Sequence, residues 1–178
     1  MALTATVYKV ELQVSDMDRH YYATHALTVA RHPSETEERL MLRVLAFALN
    51  ADEALAFGKG LSDTDEPDLW RKDLTGAIEQ WVELGQPDEQ RLRQAAGRAR
   101  DVRVYGYGRA AAIWWDKNAA ALNRLRNLRV FEVMPATCQA LAAIAARKLA
   151  LQCLIQDGAI QLLHDGGCID VELKTCKE

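Results

Sequence analysis

The first half of this 178-residue sequence has no cysteine, and the four in the second half (Cys138, Cys153, Cys168 and Cys176) form no Cys-x-x-Cys pair. Zinc sites draw their ligands in close pairs, and the four histidines (His20, His25, His32 and His164) supply none, so a structural metal is not expected. Three of the cysteines fall in segments that read as strands, where a thiol behaves as a small apolar side chain. Long apolar runs are missing too. The longest, Ala140 to Ala146, is stopped by Arg147 and Lys148, well short of a membrane span. The amino terminus, Met1 to Thr6, carries neither a basic region nor an extended apolar stretch, so no secretion signal is read and a cytoplasmic location is expected. There is no internal repeat, low-complexity tract or linker, and residues 1–178 read as one domain.

What is present is a globular composition, 49% hydrophobic and 26% charged, which excludes an acidic disordered tail or a coiled-coil rod. A chain of this size buries roughly 70% of its unfolded surface and needs no disulfide staple. Charge is unevenly spread. Residues 1–89 carry a net of -9, residues 90–129 a net of +8, and residues 130–178 a net of -2. The pI near 5.8 argues against indiscriminate binding to a polyanion. A basic segment beside an acidic one suits a protein that handles phosphodiesters through a metal. Equally, Arg91, Arg93, Arg98 and Arg100 would simply solubilise a helix.

Hydrophobic periodicity places the elements. Tyr8, Val10, Leu12 and Val14 alternate with Lys9, Glu11 and Gln13, and Tyr21 to Ala30 returns as a second strand, giving an amino-terminal hairpin. Ser34 with Glu37 reads as a capping box for a helix whose stripe is Met41, Leu42, Leu45, Ala48 and Leu49. Residues 54–61, 68–73 and 77–84 read as strands. Gln86-Pro87-Asp88-Glu89 starts a second helix, with proline at its first position. A strand at 101–107, a helix at 110–122, a strand at 128–133 and a helix at 135–148 follow. Antiparallel strands near 149–156, 159–164 and 168–174 close the chain. The expectation is an α/β fold with a mixed sheet, whose centre runs helix, three strands, helix, strand.

Within that centre, a two-residue turn at Thr75-Gly76 pairs Leu74 with Ala77, Lys72 with Glu79, Trp70 with Trp81, and Asp68 with Glu83. Directly opposed side chains lie on one face about 5 Å apart. Two carboxylates at ~4 Å repel by roughly 4 kcal/mol at an effective dielectric near 20, a cost that a bound cation, a basic group or protonation relieves. Carboxylate oxygens suit magnesium or manganese. A three-residue loop would shift the register and put Asp68 and Glu83 on opposite faces. Glu38, one turn before Met41 and Leu42, supplies a third acid at the edge of a core face. The plain alternatives are a solvated polar strand face and a Glu38 that reaches water or an arginine.

The runs Ala30-Arg-His-Pro-Ser-Glu-Thr-Glu-Glu-Arg39, Asp65-Glu-Pro-Asp-Leu-Trp70, Trp81-Val-Glu-Leu-Gly-Gln-Pro-Asp-Glu89, Ile113-Trp-Trp115 and Leu151-Gln-Cys-Leu-Ile-Gln-Asp-Gly158 resemble the bacterial YaeQ family, in order and over nearly the whole chain. That resemblance implies a variant of the PD-(D/E)xK nuclease fold. By it, Pro67-Asp68 matches the first half of the nuclease motif, Glu83 its second acid, and Glu38 the acid often found on the first helix. The motif's lysine is replaced by Gly85, and Arg91 stands as a substitute that stabilises phosphate charge but cannot act as a base. Two functions are therefore expected. One is a magnesium- or manganese-dependent phosphodiesterase acting on nucleic acid. In it Asp68 and Glu83 hold the metal, Glu38 completes the site, and Arg91 and segment 90–129 contact the backbone. The other is a non-catalytic nuclease-like module that binds nucleic acid or a protein partner.

Overall fold

The computed structural model describes residues 4–59 and 64–178. Its elements are β1 (Thr6–Asp16), β2 (Tyr21–Arg31), α1 (Glu37–Leu49), β3 (Leu55–Phe57), β4 (Leu69–Lys72), β5 (Ile78–Leu84), α2 (Glu89–Arg98), β6 (Ala99–Gly106), α3 (Ala111–Leu122), β7 (Leu128–Val133), α4 (Pro135–Ala143), β8 (Lys148–Gln156), β9 (Ala159–His164), β10 (Gly167–Val171) and β11 (Leu173–Lys177). The expected α/β class holds, and the strands fall into two mixed sheets, ordered β10-β9-β8-β1-β2 and β11-β7-β6-β5-β4-β3. Each sheet anchors a compact unit. The first comprises Met1–Ala51 and Ala136–Glu172, and the second Asp52–Pro135 and Leu173–Glu178.

In the first unit, the period-two pattern of β1 works as read. Tyr8, Val10, Leu12 and Val14 are buried, and the polar residues between them face outward. The amino-terminal hairpin and the carboxy-terminal strands join in one sheet, because β1 pairs antiparallel with β2 and parallel with β8. Helix α1 is buried over Leu40–Ala48, well beyond the expected stripe, and this encloses Arg43. A buried charge needs partners. Arg43 donates to both carboxylate oxygens of Glu35, at 2.6 and 2.9 Å, and to Ala30 O at 2.8 Å, while Arg39 adds a bond of 2.8 Å to Glu35.

In the second unit, β5, β6 and β7 are parallel, with α2 and α3 as the crossovers. Trp81, Val102, Val104, Leu128 and Val130 share one sheet face and pack with Leu92 and Ala95 of α2 and Leu122 of α3. Trp114 and Trp115 pack against this cluster, and Trp114 Nε1 donates to Pro87 O at 2.8 Å. The β5 face that looks polar in sequence is thus not solvated, since Trp81 and Glu83 are both buried there. The reason is position: β5 is an interior strand, with β4 and β6 on either side and α2 packed over that face.

Several local expectations change. Thr36, not Ser34, caps α1, its hydroxyl accepting from Arg39 N at 3.1 Å, while Ser34 bonds His32 at 2.6 Å. Asp88 caps α2 by accepting from Arg91 N at 2.8 Å, which leaves Pro87 outside the helix rather than at its first position. Helix α4 stops at Ala143, not Lys148. The strand read at 168–174 is two strands: β10 ends at Val171 in the first unit, and β11 pairs with β7 in the second. The strand read at 54–61 is Leu55–Phe57, and residues 60 and 61 lie outside the described residues. Cys138 and Cys153 are buried as expected, but Cys168 is exposed and Cys176 half-buried. Among the described residues no helix is long and apolar enough to cross a membrane.

Candidate acid–arginine site

The hairpin β4–β5 decides which acids meet. Its ladder pairs Leu69 with Val82, Trp70 with Trp81 and Arg71 with Gln80, the register read from the sequence. The turn is not the expected one. Asp73 N donates to Ala77 O at 2.9 Å, closing a three-residue loop whose Gly76 has φ +87°. Such a loop alone would put Asp68 and Glu83 on opposite faces. A bulge at Glu79, which leaves Lys72 opposite Ile78, restores the register. Lys72 is therefore not the partner of Glu79. Its ammonium lies 3.8 Å from the centroid of Trp70, while Glu79 is met by Arg71 at 3.1 Å and Arg100 at 4.0 Å.

One step beyond the Leu69–Val82 pair, Asp68 falls opposite Glu83, and both are buried. Asp68 Oδ2 accepts from Leu84 N at 2.8 Å. Glu83 Oε1 accepts from Trp81 Nε1 at 2.9 Å and from Arg91 Nε at 2.7 Å. Arg91 also donates to the main-chain oxygens of Thr64 and of Glu66, the latter at 3.0 Å. Its guanidinium carbon and that of Arg98 lie 5.9 and 5.1 Å from the Trp81 centroid, so two cations flank the indole. Burial pushes the Glu83 carboxyl above its usual 4.5; the charge of Arg91 opposes that rise and the neighbouring Asp68 carboxylate adds to it.

Three of the four residues singled out in the sequence, Asp68, Glu83 and Arg91, are brought together by the second unit alone. Glu38 belongs to α1 in the first unit. Sequence reading missed Trp81 as a ligand of Glu83, although two residues apart on a strand is the same-face spacing that would have found it. It also missed the carbonyls of Thr64 and Glu66, which carry no side-chain signal.

Gly85, where the nuclease motif has lysine, has φ +92°, a conformation that L side chains rarely adopt. Its N–H donates to Tyr105 O at 3.0 Å. A lysine at this position would be strained by its backbone conformation.

A divalent ion here would take an oxygen from each of Asp68 and Glu83. Glu83 Oε1 already has two N–H donors, and the cation set against it is a guanidinium. Among the described residues no group of three or more His, Cys, Asp or Glu side chains stands where it could hold a metal. As arranged, Glu83 Oε1 is answered by the Trp81 indole and the Arg91 guanidinium. Chemically, the centre is a desolvated ion pair that ties α2 to β5 and to the 64–66 segment.

The two mixed sheets, with a buried acid pair closed by an arginine, define an α/β protein with an acid–arginine centre at the edge of a parallel β-α-β unit. The chain belongs to the YaeQ family: the family model described as "YaeQ protein" matches residues 1–173. It is 43% identical to the uncharacterized protein YaeQ of Escherichia coli (strain K12) over 179 residues, covering 100% of this chain and 99% of that protein. Identity to the Salmonella typhi protein of the same description is 44% over the same coverage. The crystal structure of the YaeQ protein from Xanthomonas axonopodis pv. citri superposes with a TM-score of 0.95 at 53% identity, over 98% of this chain and 99% of that one. The Pseudomonas syringae structure gives 0.94 at 38% identity, over 98% and 97%.

Proposed function

We propose that this chain is a non-catalytic nuclease-like module that binds nucleic acid through the basic segment 90–129. The observation that carries the first half of this reading is Arg91 Nε on Glu83 Oε1 at 2.7 Å, a protein cation in the place a catalytic metal would need. The positive φ of Gly85 points the same way. For the second half, five basic residues of the segment pair with acids, namely Arg91, Arg93, Arg100, Arg103 and Arg129. The other five, Arg98, Arg109, Lys117, Arg124 and Arg126, are exposed and supply the excess positive charge. Phosphate contacts release counterions, so binding must weaken with salt. If all five contact a single strand, affinity measured by fluorescence anisotropy falls about a hundredfold between 50 and 200 mM salt. Lys117→Glu with Arg124→Glu flattens that slope. Absent or salt-independent binding rejects the reading and leaves a protein partner.

A second reading is favoured by one observation: two buried carboxylates, Asp68 and Glu83, stand opposite each other across the β4–β5 ladder. On it, Asp68 and Glu83 release Arg91 and take magnesium or manganese, and the protein is a divalent-metal-dependent phosphodiesterase. Metal at a hundredfold its dissociation constant stabilises the fold by about 2.7 kcal/mol. Melting with either ion against chelator reads this directly, and Asp68→Asn with Glu83→Gln abolishes the shift. No shift in the native chain ends this second reading.

A further inference from the structure

Strand β2 forms one edge of the five-stranded sheet in the first unit. The ladder phases show which groups it presents. Lys9 N donates to Arg147 O at 2.7 Å, and Met17 N to Ile155 O at 2.8 Å, so the odd-numbered residues of β1 turn their amides to β8. The even-numbered ones turn to β2, where Tyr8, Val10, Leu12 and Val14 oppose Val29, Leu27, His25 and Ala23. On an antiparallel strand such facing residues exchange both bonds, and the residues between them point the other way. Tyr22, Thr24, Ala26, Thr28 and Ala30 therefore direct N–H and C=O to the open edge of the sheet. Arg43 reaches Ala30 O at 2.8 Å from that side, which confirms the phase and closes the edge at Ala30 O, so the open stretch runs from Tyr22 to Thr28.

Natural edge strands are kept short, charged, bulged or interrupted by proline. The other sheet edges obey this. Strand β3 has three residues, β10 has five and begins at Gly167, and β11 has five and carries Lys174 and Lys177. Strand β2 has eleven residues, and its register with β1 runs without a bulge from Arg31 to Tyr21. Between Tyr21 and Ala30 it has no Lys, Arg, Asp, Glu, Pro or Gly.

We propose that the β2 edge pairs with the β2 edge of a second copy of this chain, antiparallel about Ala26, to make a continuous ten-stranded sheet. A two-fold axis demands that a surface match itself. About Ala26, Thr24 opposes the partner's Thr28 and Ala26 opposes itself, while Tyr22 opposes the partner's Ala30, whose O already accepts from Arg43. All of these are residues whose main-chain groups point outward, and no like charges meet. On the covered face Leu27 opposes the partner's His25, and Val29 the partner's Ala23, which extends the apolar side of the sheet across the axis.

Sedimentation equilibrium of the whole chain reads the outcome, together with amide hydrogen exchange across a concentration series. Expected is a dimer in which the Tyr22, Thr24, Ala26 and Thr28 amides become protected as concentration rises. Ala26→Pro removes an outward N–H that β1 does not use. Ala26→Lys places two ammonium groups opposite each other across the axis, while within one chain it gains Glu11, the residue beside Ala26 in the ladder. Each variant weakens the dimer at least tenfold and keeps the native circular dichroism. A chain that stays monomeric from micromolar to millimolar concentration overturns the proposal. So does a dimer that persists unchanged in a folded Ala26→Lys variant with these amides unprotected.

Discussion

Arg91 donates from Nε to Glu83 Oε1 at 2.7 Å, from the first turns of α2 to the carboxy-terminal half of β5, and the same guanidinium holds the carbonyls of Thr64 and Glu66. The two partners differ in exposure. The Glu83 side chain is 7% exposed and that of Arg91 27%, so the acid is the member that cannot be left alone.

Removing Arg91 as Arg91→Ala leaves a desolvated carboxylate with the Trp81 indole as its remaining donor among the described residues. Loss of one partner from a buried pair costs about 3–5 kcal/mol, and the partial exposure of Arg91 brings the expectation to about 2–3 kcal/mol. Urea unfolding at neutral pH checks it. Arg91→Ala combined with Glu83→Gln should cost less than Arg91→Ala alone, because the orphaned charge is gone.

Stability should carry a pH signature from Glu83. Its folded pKa is raised above 4.5, chiefly by burial, so the folded state holds this proton more tightly than the unfolded chain. The sign follows: this group favours folding most at pH below its unfolded value, and the contribution is lost as pH climbs through the folded value. Glu83→Gln deletes the term. The stability difference, native minus variant, should therefore fall as pH rises from the unfolded value of 4.5 through the raised folded value in thermal or urea melts, and a flat or rising difference contradicts the buried placement.

Gly85→Lys tests whether the nuclease lysine can simply be restored. At φ +92° a side chain is strained, so a loss of about 1–2 kcal/mol is expected by thermal melting, with no phosphodiesterase activity gained on single- or double-stranded oligonucleotides.

The β4–β5 hairpin offers a deletion experiment. Deleting Thr75 leaves a two-residue loop with the bulge, and deleting Glu79 leaves the three-residue loop without it; either way Arg71 still opposes Gln80 and Trp81 keeps its buried face. Each deletion should therefore cost less in urea unfolding than the loss of a buried tryptophan, about 3 kcal/mol. A larger loss in either variant contradicts the bulge at Glu79.

The hairpin also shows how the acid pair came to be legible. The two-residue turn read from Thr75-Gly76 was one residue too short, and the bulge at Glu79 was not foreseen. The two differences cancel, so the pairing of Trp70 with Trp81 and of Asp68 with Glu83 stands. Turn length is local chemistry, whereas a bulge depends on what the neighbouring strand and the covering helix require, and no pattern within the hairpin announces it. The capping residues illustrate the same division. Ser34 and Thr36 both have the right chemistry, and the choice fell to Thr36 where the backbone turns into α1.

By itself the sequence determined the order of elements, the alternation that buries one side of β1, the family, and the presence of two acids and an arginine at a spacing that a hairpin and a helix can unite. These depend on periodicity and on residue type, which act within a few residues of one another. Tertiary structure alone decided that the strands divide between two sheets, that the Trp81–Glu83 face of β5 is covered, and that Arg91 occupies the acid. Those outcomes depend on contacts between segments distant in the chain, where burial sets how strongly each charge must be answered and by which partner.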